Sequence, residues 1–204
     1  MAAGTRPDWE NVGIEFDKEA IGAGKKLLQK IRALPLEAQV KTFLPLLPLV
    51  MAPLGEAIAE VLKDEEIKND LLPRFKGTKH PLYLEFIGDD GKAYGYEMSV
   101  RDKPPYFDLA VKDREPDGFG LRFLFRDILA FADSVLAEGR LVVPDFLDFY
   151  CRGKMQLIMT KSRPDWSGFS LFGGLMFYGP HIWATMDRQN ARDKVFKGVK
   201  ALQG

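Results

Sequence analysis

Few side chains in this sequence are placed for bond chemistry. The chain has two histidines and one cysteine in 204 residues. His80 precedes Pro81 and His181 follows Pro180. A general base or a metal centre needs convergent partners, and neither histidine has a His, Cys or carboxylate at ligand spacing. Cys151 lies near Arg152 and Lys154, whose charge favours a thiolate. No histidine sits at a telling position beside it, and a lone cysteine at a helix end reads as structural. Gly22-Ala23-Gly24-Lys25-Lys26 has the composition of a phosphate loop without its spacing, and falls inside a helical pattern. Phe172-Gly173-Gly174-Leu175 opens no helix after a strand. Asp89, Asp90, Asp113, Glu115 and Asp117 sit at turns, where turn chemistry accounts for them. The expectation is a chain with no catalytic residue, no metal ligands and no cofactor.

What remains is apolar material and the elements that carry it. Lysine plus arginine equals aspartate plus glutamate at 29 each, so the basic excess of a nucleic-acid binder is missing. With 46% hydrophobic and 28% charged residues, the chain can build a sizeable core. A single cysteine allows no intrachain disulfide, which favours a reducing, cytoplasmic setting. The first residues, through Trp9, lack an apolar stretch of signal-peptide length. Thr42 to Gly55 is short for a membrane span and carries Pro45, Pro48 and Pro53. Trp166 to Met186 is interrupted by glycines and Pro180, so neither run reads as a transmembrane helix.

The first third reads as helical. Asp17 caps a helix from Lys18 to about Ala33, ended by Pro35. Leu36 to Leu47 follows, broken by Pro45 and Pro48. Pro53 then opens a helix through Leu54, Ala57, Ile58, Val61 and Leu62. After Gly77 the period becomes two. Leu82, Leu84 and Phe86 form one strand face, and Asp90-Gly91 marks a hairpin turn. Tyr94, Tyr96, Met98 and Val100 follow, then Phe107, Leu109 and Val111. A turn at Glu115-Pro116-Asp117-Gly118 leads to Leu121, Phe123 and Phe125. The pattern predicts a four-strand antiparallel meander with one covered face. Asp127 then caps a helix bearing Ile128, Leu129, Phe131 and Leu136, stopped by Gly139. Pro144 starts another, and Met155, Leu157 and Met159 share the face of a fifth strand.

The order of these elements resembles the sterol carrier protein (sterol transfer) family over residues 78–163, most densely from Leu121 to Met159. The matching features are the helix stop Ala137-Glu138-Gly139 and the passage Asp145-Phe146-Leu147-Asp148-Phe149-Tyr150-Cys151-Arg152-Gly153-Lys154-Met155-Gln156-Leu157. The resemblance implies an α/β (α+β) fold: a five-stranded, mainly antiparallel sheet with helices on one face and an apolar tunnel between. It implies a carrier of fatty acyl, sterol-like or phospholipid ligands that works without catalysis. Residues 1–77 would form an N-terminal helical segment, and 164–204 an aromatic, glycine-rich segment with a basic C-terminal helix. Both depart from the family's compact form and would cap or fill the cavity.

The expected ligand-binding residues are Phe86, Met98, Leu109, Phe123, Phe125, Phe131, Leu157, Met159 and Phe177. Glu97 and Arg122 should face away from them. Burying about a dozen methylenes suffices for tight binding at roughly 25 cal/mol per Å², provided the face leaves a void. Arg188, Arg192, Lys194, Lys197 and Lys200 make the C-terminal helix basic beside Trp166, Phe169, Phe172, Phe177, Tyr178 and Trp183. That pairing suits peripheral membrane contact or a homodimer. The rival reading is a non-catalytic accessory subunit with a filled core.

Overall fold

The computed structural model describes residues 12–111, 118–160, 164–189, 193–195 and 197–198. The turn expected at 115–117, along with Asp113, Arg192 and Lys200, lies outside the described residues. The protein is mixed α/β, with a five-stranded sheet and helices around it.

Helix α1 (Lys18–Arg32) begins where Asp17 accepts a hydrogen bond from the Ala20 amide, satisfying one free donor of the first turn. Helix α2 (Leu36–Phe43) ends before Pro45. Helix α3 (Leu46–Val61) contains Pro53 in its interior, which corrects the expectation that Pro53 opens a helix. Pro45 and Pro48 occupy the start instead, where a missing N–H has no helical partner to lose. By length and composition Leu36–Val61 is apolar enough to cross a bilayer, although it turns between α2 and α3 and buries Val40, Leu44, Ala57, Ile58 and Val61. Helix α4 (Glu65–Gly77), capped by Asp64, has Arg74 and Lys76 in its last turn, the end of the helix dipole that favours cations.

Strands β2 (Leu82–Ile87), β3 (Ala93–Val100), β4 (Phe107–Val111), β5 (Phe119–Leu124) and β7 (Met155–Met159) form the main sheet in the order β4-β3-β2-β5-β7. The order overturns the simple meander. β5 pairs with β2 in parallel, not with β4. β4 stays at the edge, with Val111 66% exposed. The more apolar β5 takes an interior position between β2 and β7, where both of its edges are hydrogen-bonded. An interior strand of a sheet buries more apolar surface than one at its edge, so burial overrides the sequence-neighbour preference. A small separate pair joins β1 (Gly13–Glu15) to β6 (Arg140–Val142).

Helix α5 (Phe125–Glu138) starts two residues before Asp127 and has no side-chain cap at Leu124. Phe125 thus belongs to the helix rather than to the preceding strand. Asp127 instead pairs with Lys154 at 2.8 Å. Gly139 ends α5 at φ 75°, a left-handed position that glycine adopts without strain. Helix α6 (Val143–Cys151) precedes β7. The aromatic run becomes two helices, α7 (Trp166–Phe177) and α8 (Gly179–Arg188). Asp165 caps α7 by accepting from the Ser167 and Gly168 amides. Helical residues 193–195 and 197–198 continue beyond α8, and Lys194 pairs with Glu56 of α3.

The strand register places Leu82, Leu84, Phe86, Tyr96, Met98, Leu109, Leu121, Phe123, Met155, Leu157 and Met159 on one side of the sheet. Two buried clusters cover this side with helices. Glu97 and Arg122 lie on the opposite side, where Arg122 pairs with the buried Glu85. One cluster draws on α3, α4, α7 and α8, the other on α1, α2, α5 and α6.

Candidate functional site: an apolar cavity over one half of the sheet

The two halves of the covered face are built from different side chains. At the Phe86 end six aromatic rings run in unbroken contact. Phe125 meets Phe43 edge-on at 5.5 Å, and Phe43 meets Phe86 at 5.8 Å. Phe86 stacks on Phe123 at 5.5 Å, Phe123 on Phe149 at 6.3 Å, and Phe149 contacts Phe131 at 4.9 Å. These separations lie in the favourable range for aromatic pairs. The Tyr96 hydroxyl closes this half by donating to the Leu44 carbonyl, and desolvation raises the phenol's pKa. This half is solid.

At the Leu82 end the face is largely aliphatic and leaves a cavity of about 200 Å³. Leu82, Leu84, Met98, Phe107, Phe119 and Leu121 form its floor. Met51 and Leu54 of α3 make one wall. Phe172, Leu175 and Met176 of α7, with Gly179, Ile182 and Trp183 of α8, make the others. The lining is almost wholly apolar and the space is a recess partly open to the outside. Helix α7 owes its close seat to Gly168. A Cβ there would stand 2.6 Å from Leu82 Cδ2 and 3.1 Å from Phe119 Cβ. The first turn of α7 therefore rests on the sheet while its later turns carry Phe172, Leu175 and Met176 over the hollow. Gly55 does the same for α3, where a Cβ would meet the Pro105 carbonyl oxygen at 2.5 Å.

Polar contacts hold α7 at its outer side. Arg74 donates to Ser170, and Arg74 also pairs with Asp70 at 2.9 Å. The Tyr178 hydroxyl donates to Asp70 at 3.0 Å. The Arg74 hydrogen bond is the main reason that the Asp70 carboxyl sits below the usual carboxylate range. Burial, then the Asp70 contact, raises the Tyr178 phenol.

Of the nine residues expected to bind ligand, Met98 alone lines this cavity. Phe86, Phe123 and Phe125 are 2%, 9% and 1% exposed inside the solid half. Phe131 leans on Phe149 beside them and lines a separate polar depression with Asp127 and Lys154. Leu109 packs against both clusters, and Leu157 and Met159 pack against the one containing the cavity. Phe177 points outward at 68% exposure. The residues that periodicity missed as lining include Met51, Leu54, Phe172 and Ile182. Leu82, Leu84 and Leu121 carried a usable signal, because they share a face with Phe86 and Phe123 but are smaller.

Cys151 is exposed at the end of α6. His80 precedes β2, and His181 lies in α8 on the far side of the fold's chain order from it. Among the described residues no group of three or more His, Cys, Asp or Glu side chains could hold a metal ion. No family model, curated protein or solved structure matches this chain.

Proposed function

We propose that this protein binds a lipid-like hydrophobic ligand, a fatty acyl, sterol-like or phospholipid molecule, as a carrier without catalysis. The observation that carries the reading is the 200 Å³ apolar recess between the sheet and helices α3, α7 and α8. Well-packed interiors rarely leave such a space, and about 150 Å³ already accommodates a benzene-sized guest. The arrangement of a five-stranded sheet with helices over its apolar face also agrees with what the sterol carrier resemblance implies.

Volume ranks the ligands. As it stands, the recess holds a guest somewhat larger than benzene, such as the end of an acyl chain. At roughly 0.8 kcal/mol per methylene, about eight methylenes contribute about 6 kcal/mol, which corresponds to a Kd of tens of micromolar. A whole sterol or a long acyl chain requires α3 to part from α7 and α8. The seam at which such an opening would form is lined by apolar side chains from both sides, Met51 and Leu54 of α3 and Leu175 and Ile182 of α7 and α8.

Native mass spectrometry of protein purified from cells tests the reading. Co-purified fatty acid or phospholipid supports a carrier. A single apo mass, together with no uptake of a medium-chain fluorescent acyl probe, overturns it and leaves the filled-core accessory subunit. A Leu175→Trp variant, which places a ring in the recess, should abolish probe uptake while leaving the fold intact.

A further inference from the structure

We infer that the outer face of α7 is a membrane-docking surface that sets the cavity against a lipid bilayer. The inference rests on the carrier reading for its purpose but not for its evidence. Trp166, Phe169 and Phe177 are 69%, 43% and 68% exposed. Over the 12 residues of α7 they share one stripe of helix with Ser170 and the exposed Gly173, as helical periodicity requires. Trp166 and Phe169 contact each other edge-on at 6.3 Å. No charged residue occurs between Trp166 and Met186. Large exposed rings on an uncharged helix face mark a surface that some apolar medium covers.

A bilayer fits this stripe better than a second copy of the chain. A helix of 12 residues is about 18 Å long and about 10 Å across, so its outer face offers on the order of 200 Å². A stable protein interface takes about 800 Å² from each partner. Three rings separated by Ser170 and Gly173 form no continuous apolar core for such an interface. They do suit the lipid boundary, where aromatic side chains insert singly among acyl chains and headgroups.

The surroundings agree. Helices α4 and α7 run alongside each other in opposite directions, Thr78 reaching Ser167 while Asp70 reaches Tyr178. The end of α4 that carries Arg74 and Lys76, followed by Lys79, therefore flanks Trp166. Lys76 and Lys79 are exposed and add attraction to anionic headgroups. The acidic end, Glu65 and Glu66, lies toward Tyr178, so anionic lipid draws the Trp166 end first. At the other end Met176 lines the cavity and its neighbour Phe177 faces out. Docking on this stripe places the recess beside the acyl layer, where a ligand can pass without crossing water.

Sedimentation with phosphatidylcholine vesicles, with and without phosphatidylserine, tests the inference on the full chain. The wild type should bind, more tightly when phosphatidylserine is present. Trp166→Ser with Phe177→Ser should weaken binding by at least about tenfold. Lys76→Gln with Lys79→Gln should remove about fivefold per lysine on the anionic vesicles only. All four positions are exposed, so these variants should fold, and unchanged uptake of the acyl probe in solution verifies it. Failure of the wild type to bind either vesicle overturns docking, even where probe uptake persists and the carrier reading stands. Vesicle binding without probe uptake sustains docking and removes the carrier reading. A wild-type dimer that the Trp166→Ser, Phe177→Ser variant dissociates, without vesicle binding, shows that a second copy covers the stripe and overturns the inference.

Discussion

One sheet face in this protein has two fates. At one end Phe43, Phe86, Phe123, Phe125, Phe131 and Phe149 fill the space under α1, α2, α5 and α6 ring against ring. At the other, leucines and methionines from the same strands face α3, α7 and α8 across about 200 Å³ of unfilled space. The strands are continuous through both halves, so register cannot be the cause. The difference lies in what the helices bring. The first group contributes phenylalanines that reach the sheet, whereas α3 and α7 are held close by Gly55 and Gly168 and then bridge over smaller side chains. Solidity and hollowness are thus local properties of side-chain size on a uniform scaffold. The solid half anchors the fold, and the hollow half is the part on which the carrier proposal rests.

The largest expected effect comes from emptying the solid half. Phe125→Ala should lower the unfolding free energy by about 3–5 kcal/mol, measured by urea denaturation, because the residue is 1% exposed and in contact with Phe43. A cost near zero would mean that the ring chain is not packed as described. Overfilling separates the halves more sharply. Leu129→Phe, at a position 7% exposed in the solid half, should cost about 1–3 kcal/mol. Leu175→Phe on the cavity wall should cost well under that and reduce uptake of an acyl probe. Equal penalties at the two sites would contradict the comparison.

A smaller effect tests the join between α2 and the sheet. Tyr96→Phe removes the donor to the Leu44 carbonyl and should cost about 1 kcal/mol, with no change in probe binding, since Tyr96 belongs to the solid half. The smallest effect concerns pH. The Asp70 carboxyl is held below its ordinary range chiefly by the Arg74 hydrogen bond. A carboxyl with a lowered folded-state pKa adds stability above the unfolded pKa and loses it as pH falls through the folded one. Stability should therefore decline in the acid range below the ordinary carboxylate pKa. Because Asp70 is 43% exposed, solvent screening keeps the loss under about 1 kcal/mol. Asp70→Asn should flatten that part of a pH–melting curve.

Much of the fold was readable from local pattern. Asp17 as a cap, the period-two strands from Leu82 onward, the Gly139 stop and the placement of Glu97 and Arg122 away from the covered face all follow from rules that act within a few residues. The helical nature of Trp166–Phe177 was not readable in that way, because glycines at 168, 173 and 174 argue against a helix, and only the fold brings Leu82 and Phe119 against Gly168 and Leu71 and Arg74 against Gly174. Helix α4 and the β1–β6 pair also escaped the pattern, as did the start of α5 at Phe125. For the candidate site, the sequence pointed to the face of the sheet that carries the recess but favoured its aromatic end. Large rings look like pocket lining when only their side of the strand is known.

Composition and alternation by themselves decided that this chain builds an apolar-faced sheet under helices, since burial of every second strand residue needs no knowledge of distant partners. Tertiary structure alone decided that β5 lies beside β2 and that the void sits under α3, α7 and α8. Both depend on which remote segments arrive at the same place and on how completely their side chains fill the space between them.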